Sequence, residues 1–451
     1  MLKRVLIANR GEIAARLIRG CHAAGAEAVA VYSEADVDAP FLEGADATFA
    51  IGAAPPAESY LNIAALLEAA RASGADSVHP GYGFLSENPA FAEAVEGAGL
   101  AWVGPPPAAM RAMADKIDAR NLVAKAGVPI VPGTDGPVEG EAALADARRL
   151  GFPLIVKAAK GGGGIGMTVV RDYAELESAL QTARARAGAA FGDASVFLER
   201  YVHQPRHIEV QVLGEADGRV IHLYERECSV QRRHQKVIEE TPSQVLDEAM
   251  RAELCAAAVR AAEAVDYRSA GTVEFIFGEG KFHFLEMNTR LQVEHPITEE
   301  TTGVDLVGAM LRVASGEPSG IAAPPPRAGH AIEFRIYAED PVRFLPSPGE
   351  ILTWEPPSGE GIRLDSGVAA GYRVTHYYDP LLAKLVVSGG DREEAIRRSE
   401  AALSAFKIEG VKHNIPAHLE VLASDEFRAG AYDTSLLAQL AERRKAATAG
   451  G

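Results

Sequence analysis

Cysteine is scarce: Cys21, Cys228 and Cys255 are the only three in 451 residues, far apart and without a Cys-x-x-Cys or Cys/His spacing. An odd, dispersed set builds neither a disulfide framework nor a zinc site, so a reducing, cytoplasmic setting fits best. Long apolar runs are missing too. After Lys3 and Arg4 the run at residues 5–8 is too short for a signal-peptide core, and nothing approaches the ~18 apolar residues of a membrane span. Positive charge is in deficit, 45 Lys and Arg against 62 Asp and Glu for a net −17, so the overall field repels phosphate backbones and anionic lipid. Neither nucleic acid nor a membrane surface is an expected partner. No period of 20–50 residues recurs, which excludes a repeat array. What is present is ordinary globular usage, 47% apolar with 44 Gly and 26 Pro, long enough for roughly three domains.

Residues 5–8 and 28–32 read as buried strands around a helix opened by Gly11, with Ile13, Leu17, Ile18, Cys21 and Ala24 on its apolar period. Short strands at 77–79 and 101–103 continue the alternation, so residues 1–114 form an open α/β domain whose post-strand loops are candidate ligand sites. A helix over 115–126 leads into a small unit, 115–202. It holds strands at 153–158 and 168–170, a glycine run at 161–166 and a helix over 173–187. Residues 203–451 turn to strands and hairpins, at 207–213, 220–225, 272–277 and 281–287, giving an α+β third part with a frayed tail from Arg443.

Glu286-Met287-Asn288-Thr289-Arg290-Leu291-Gln292-Val293-Glu294 alternates polar with apolar positions, so an extended backbone over 286–294 puts two carboxylates, an amide and a guanidinium on one face. A solvated strand face gives the same pattern. Glu274 stands alone in an apolar strand that a turn at 278–280 folds against 282–286, so its carboxylate approaches Glu286. Paired carboxylates repel unless a cation intervenes, which makes Mg²⁺ at Glu274, Glu286 and Asn288 the economical reading. The glycines after Lys157 free backbone N–H groups for phosphate, or form a loop without a ligand. They are neither a dinucleotide fingerprint, because a strand follows, nor a P-loop, because Met167 stands where lysine must be. Gln231-Arg232-Arg233-His234-Gln235-Lys236 suits an anion or a solvated face. His79-Pro80-Gly81-Tyr82-Gly83-Phe84-Leu85-Ser86-Glu87-Asn88 is a post-strand loop, either ligand-binding or a structural turn.

Together with Asn9-Arg10-Gly11-Glu12, Phe344-Leu345-Pro346-Ser347-Pro348-Gly349 and Tyr377-Tyr378-Asp379-Pro380, these segments resemble biotin carboxylase over essentially the whole chain. The resemblance implies an ATP-grasp fold: an N-terminal open α/β domain, a small glycine-rich lid domain and a C-terminal α+β domain. It implies ATP- and bicarbonate-dependent carboxylation of biotin through carboxyphosphate, as the first half-reaction of an acetyl- or propionyl-CoA carboxylase. Mg²⁺ or Mn²⁺, two ions, would sit on Glu274, Glu286 and Asn288. ATP would meet Lys116, Lys157, Gly162, Gly163, Gly164, Glu199, Arg200, Val202, His207, Gln231, His234, Glu274 and Glu286. Bicarbonate would lie among Lys236, Arg290, Gln292, Val293 and Glu294, with Glu294 the general base, and biotin between Tyr82 and Arg335. No Met-Lys pair exists to carry biotin. The substrate biotin is therefore expected on a separate carrier protein, with carboxyltransferase subunits, as well as a second copy of this chain, as further partners. The sequence departs from the family at Lys160 and Ile165 in the glycine loop and around residues 40–44. A different ATP-grasp ligase that traps an acyl phosphate with an amine, or a scaffold without turnover, are the competing readings.

Overall fold

The computed structural model describes residues 2–160 and 167–449, so the reading of the glycine run, including Gly162, Gly163 and Gly164, falls outside the described residues. The N-terminal sheet is parallel, with strands in the order Ala47–Ala50, Glu27–Tyr32, Arg4–Ile7, Ser77–His79, Ala101–Trp102. Val5, Leu6 and Ile7 are wholly buried, as crossover helices on both faces require. The strand order reverses between Arg4–Ile7 and Ser77–His79, so the loops at 8–10 and 80–88 flank the crevice where such sheets take ligands. Asn9 Nδ2 ties the two loops, donating to the carbonyls of Pro80 and Tyr82 at 2.7 Å each.

A second, three-stranded antiparallel sheet orders Thr168–Val170, Leu154–Ala158 and Val196–Arg200. Helices Gly140–Leu150 and Tyr173–Phe191 cover it through an apolar cluster of its own. Asp172 caps the second helix by accepting from Ala174 and Glu175, and left-handed Gly192 stops it.

The rest centres on one eight-stranded antiparallel sheet, in the order Lys281–Asn288, Ser269–Gly278, Arg206–Gly214, Val220–Arg232, Gln235–Thr241, His330–Tyr337, Leu381–Gly389, Ile362–Ser366. Helix Glu248–Glu263 packs its alanines against one end, and helix Arg392–Ala405 packs on the other.

Several boundaries differ from the sequence reading. The strand expected at 220–225 runs to Arg232, because register shifts let it bend and keep both neighbours. The helix expected to end at 187 continues to Phe191. The tail from Arg443 is helical through Ala449, anchored by Arg443 to Glu426 and by Arg444 to Glu420. The altered segment at 40–44 opens as a short helical turn, Pro40–Leu42, that buries Phe41. Among the described residues no helix is long and apolar enough to cross a membrane.

Candidate active site

The site rests on a row of charges laid down by strand register. Arg226 lies opposite Glu209, Glu209 opposite Glu274, and Glu274 opposite Glu286, so four neighbouring strands line up three carboxylates beside one guanidinium. Opposed like charges repel, and burial of Glu209 and Glu274 sharpens the problem. Cations answer it. Arg226 Nε donates to Glu209 at 2.6 Å, Lys236 donates to Glu209 and at 2.8 Å to Glu274, and Lys116 donates to Glu286 at 2.5 Å. His207 Nε2 lies 2.8 Å from the other Glu274 oxygen. Burial alone would raise the pKa of Glu274, but Lys236 and His207 hold it well below the usual carboxylate range. Burial disfavours charged His207, yet Glu274 raises its pKa. Asn288 Nδ2 donates to Glu274 at 2.7 Å. Two opposed carboxylates and a carboxamide oxygen form a hard, oxygen-only donor set, which fits Mg²⁺ or Mn²⁺.

Lys236 gets there by a tight hairpin. Arg233 and His234 alone connect strands Val220–Arg232 and Gln235–Thr241, both left-handed at φ 50° and 68°. Neither residue is glycine or asparagine, so the turn is strained. Its register sets Gln231 opposite Lys236, and Gln231 Nε2 meets His207 Nδ1 at 2.9 Å.

The extended run expected over 286–294 stops at Asn288. Helix His295–Thr302, with Pro296 in its first turn, forces the backbone out of the sheet. The polar side chains still converge. Arg290 donates to Asn288 at 3.1 Å, to Gln292 at 3.0 Å and to Glu87 at 3.1 Å, while Gln292 donates to Glu274 at 3.1 Å. Glu294, fully buried, accepts from Lys236 at 2.7 Å on one oxygen and from Arg335 at 3.0 Å on the other. Burial would raise its pKa, but Lys236 and Arg335 hold it well below the usual range. Arg335 keeps a second anion, Glu239, at 2.7 Å. The carbonyl of Val293 accepts from Lys384 at 3.0 Å.

Lys116, Lys236, Glu274, Glu286, Arg290 and Arg335 line a cavity of about 410 Å³ together with Lys157 and Glu199, and Glu294 lies buried behind Lys236 and Arg335. Lys157 and Arg120 both pair with Glu199, the latter at 2.9 Å. An adjoining cavity of about 290 Å³ adds Arg200, Val202 and the apolar Val131 and Ile155, and shares Lys157, Glu199, His207, Gln231, His234 and the apolar Leu285. An apolar cavity beside lysines and carboxylates suits a nucleotide, base among the apolar side chains and phosphates toward the charged row. Lys160, at the cavity edge, pairs with Asp193 at 3.0 Å. Tyr82 does not line either cavity; its hydroxyl donates to Glu12.

Sequence reading missed Glu209, Glu87, Arg226 and Lys384. The signal for Glu209 was present, since His207, Glu209 and Gln211 alternate with apolar residues as the polar positions of 286–294 do. Glu87 gives the loop at 79–88 its contact, accepting from the Thr289 backbone and from Arg290, both at 3.1 Å.

Three family profiles match consecutive parts of the chain: the biotin carboxylase N-terminal domain over residues 1–110, the ATP-binding domain of the carbamoyl-phosphate synthase L chain over 115–321, and the biotin carboxylase C-terminal domain over 333–439. The biotin carboxylase of Halalkalibacterium halodurans is 51% identical over 440 residues, 97% of each chain. The chain belongs to the biotin carboxylase family. It is an ATP-dependent biotin carboxylase with the ATP-grasp fold. A pyruvate carboxylase subunit from Methanothermobacter thermautotrophicus is 49% identical, covering 96% of this chain and 89% of its own. The biotin carboxylase–βγ-ATP complex from Campylobacter jejuni superposes with a TM-score of 0.94 at 46% identity, over 97% of this chain and 99% of that one. The biotin carboxylase domain dimer of Hydrogenobacter thermophilus 2-oxoglutarate carboxylase, crystallised with MgADP, ADP and bicarbonate, gives 0.93 at 43%, over 97% of this chain and 98% of that one.

Proposed function

We propose that this pocket carboxylates biotin held on a partner carrier protein, as the first half-reaction of an acetyl- or propionyl-CoA carboxylase. The observation that carries the proposal is Glu294, a buried carboxylate between Lys236 and Arg335 and two hydrogen bonds from Glu274 through Lys236. The segment Thr375-His376-Tyr377-Tyr378-Asp379-Pro380-Leu381-Leu382-Ala383-Lys384 resembles acyl-CoA carboxylase α chains of the propionyl type more than the bacterial acetyl type or pyruvate carboxylase, and that resemblance supports an acyl-CoA acceptor. The relatives named for pyruvate and 2-oxoglutarate make a 2-oxo acid the second reading.

In this reading Val131, Ile155, Val202 and Leu285 hold the base of ATP, with Arg200, Gln231 and His234 along the same cavity and Lys116, Lys157, Glu199 and His207 at the phosphates. Glu274, Glu286 and Asn288 hold Mg²⁺, which neutralises charge on the β- and γ-phosphates when bound. Bicarbonate lies among Lys236, Arg290, Gln292 and the Val293 backbone. Its negative charge draws Lys236 away from Glu294, which raises the basicity of the carboxylate at the moment a proton must be taken. The deprotonated oxygen attacks the γ-phosphorus, ADP leaves, and carboxyphosphate forms. Its decay gives CO₂ and phosphate, the phosphate takes the biotin N–H proton, and the nitrogen adds to CO₂ while Arg335 stabilises the negative biotin oxygen and Tyr82 flanks the ring. We assign residues 1–114, 115–202 and 203–451 to the N-terminal, lid, and ATP-grasp-plus-C-terminal parts, and expect the chain to dimerise.

The test is phosphate release from Mg-ATP by the purified chain, with and without bicarbonate and then with free biotin, trapping carboxybiotin from labelled bicarbonate. Bicarbonate-dependent release raised by biotin, with label in carboxybiotin, supports the reading. Release that ignores bicarbonate, or needs an amine, refutes it.

A further inference from the structure

One buried cation next to the pocket has no part in that chemistry. Lys384, on strand Leu381–Gly389, is fully buried, and register sets it directly opposite Arg335 on one neighbouring strand and Asp365 on the other. Two like charges in opposed positions repel unless each has its own anions. Arg335 has Glu239 and Glu294; Lys384 has Glu12 at 3.1 Å and Asp365 at 3.9 Å. The Lys384 ammonium does more than balance charge. It donates to the Val293 carbonyl at 3.0 Å, immediately before Glu294, and lies 5.9 Å from the centre of the Tyr82 ring.

Glu12 completes the connection, because its two oxygens are divided: one faces Lys384 and the other accepts from the Tyr82 hydroxyl. Burial pushes its carboxyl up to about 7 even with Lys384 beside it. The three partners come from distant parts of the chain and meet at the strand-order reversal of the N-terminal sheet. The approach is close enough that Gly367 admits no side chain: a Cβ there would lie 2.3 Å from the backbone of Gly11.

We propose that Lys384 is a positioning residue that fixes the Val293–Glu294 peptide and the Glu12–Tyr82 pair relative to one another, so that the bicarbonate side and the biotin side of the reaction meet at a set distance. This rests on the function proposed above. The cation touches neither substrate; it acts through the groups it holds.

The experiment is steady-state kinetics of the full chain carrying Lys384→Met, with Tyr82→Phe alone and in combination. A displacement of the order of an ångström costs about 10- to 100-fold, so Lys384→Met is expected to raise the KM for bicarbonate and for free biotin together by that factor. The KM for ATP stays within about twofold, because Lys157 and Arg120 keep their pairing with Glu199 on the smaller sheet. Tyr82→Phe raises the biotin KM alone, and adds little further in the Lys384→Met background. Should Lys384→Met fail to fold, Glu12→Gln keeps the side chain's shape and weakens the Tyr82 arm of the same link; it is expected to raise the biotin KM and to add little further in the Tyr82→Phe background. A variant of lowered melting temperature whose three KM values match the parent overturns the proposal, as does additivity with Tyr82→Phe. A parent chain without bicarbonate-dependent ATP cleavage overturns the functional reading as well, which keeps the two failures apart.

Discussion

Replacing Glu294 by glutamine removes a charge and a proton acceptor while keeping the shape. The carboxylate now accepts two charge-assisted hydrogen bonds, from Lys236 and Arg335. Glutamine keeps one acceptor and turns an N–H₂ toward the other cation. Neither cation is orphaned, since Lys236 retains Glu209 and Glu274 and Arg335 retains Glu239. The cost is therefore one charged hydrogen bond lost and one made neutral at the acceptor, about 3 kcal/mol in all, and the chain still folds. Chemistry suffers far more, because losing a positioned general base slows proton transfer by about 10²- to 10⁴-fold. Base function in the parent requires Lys236 to move to bicarbonate, and release of one charged partner worth about 1.5–3 kcal/mol raises a pKa by roughly one to two units. Calorimetric titration with Mg-ATP and phosphate release with bicarbonate separate the effects. Glu294→Gln is expected to bind Mg-ATP like the parent and to lose bicarbonate-dependent cleavage by at least about 10²-fold. Cleavage within fivefold of the parent, or lost ATP binding, refutes the assignment of Glu294 as base.

Arg335→Ala is expected to abolish carboxybiotin formation yet leave residual bicarbonate-dependent ATP cleavage; equal loss of both argues against its role at biotin. Glu240, buried against His330 and Arg392, is driven by those partners down to about 2 although burial opposes it. A lowered carboxylate pKa stabilises the fold above its unfolded value of 4.5, and that contribution is lost as pH falls from there toward 2. It amounts to about 3 kcal/mol, so acid unfolding of Glu240→Gln should be shallower over that window and the variant less stable at pH 7, while an unchanged acid transition disproves it. Phe275, wholly buried on the opposite face of the strand from Glu274 and edge-on to Phe282 at 5.5 Å, is expected to cost about 3–5 kcal/mol on truncation to alanine, measured by denaturant unfolding; a loss under about 1 kcal/mol would mean the site's strand is not held by that face.

Part of this site was legible because its chemistry repeats at the period of a strand. Glu274 and Glu286 could be paired from alternation and the turn at 278–280 alone, and the register puts them opposite one another. The same alternation in His207-Ile208-Glu209-Val210-Gln211 went unread, and with it the anion that shares Lys236. Lys236 was legible from charge only as part of a basic run suited to an anion or a solvated face; its place beside the carboxylates was reached through resemblance, because its hairpin turns on Arg233 and His234 instead of the glycine or asparagine that signal such turns. Arg335 and Lys384 were placed by pairing between strands far apart in sequence, which no local pattern encodes. The segment 289–294 misled for the opposite reason: its polar residues alternate and share a pocket, but through an irregular backbone.

The antiparallel sheet runs without a break through the stretch where the family profiles change, since Glu239 pairs with Glu333 and Glu333 with Val386. Sequence modules and mechanical units therefore do not coincide. A fragment cut near residue 325 would keep every carboxylate of the charged row but expose the long edge of strand Gln235–Thr241, a template for aggregation. It would also leave Glu294 without its guanidinium. In chain order, likewise, Glu274 and Glu286 precede Arg335, the group proposed to steady biotin. The segment after residue 325 thus supplies the guanidinium proposed for the biotin step, and a product truncated there is expected to be insoluble before it is ever a wasteful ATPase.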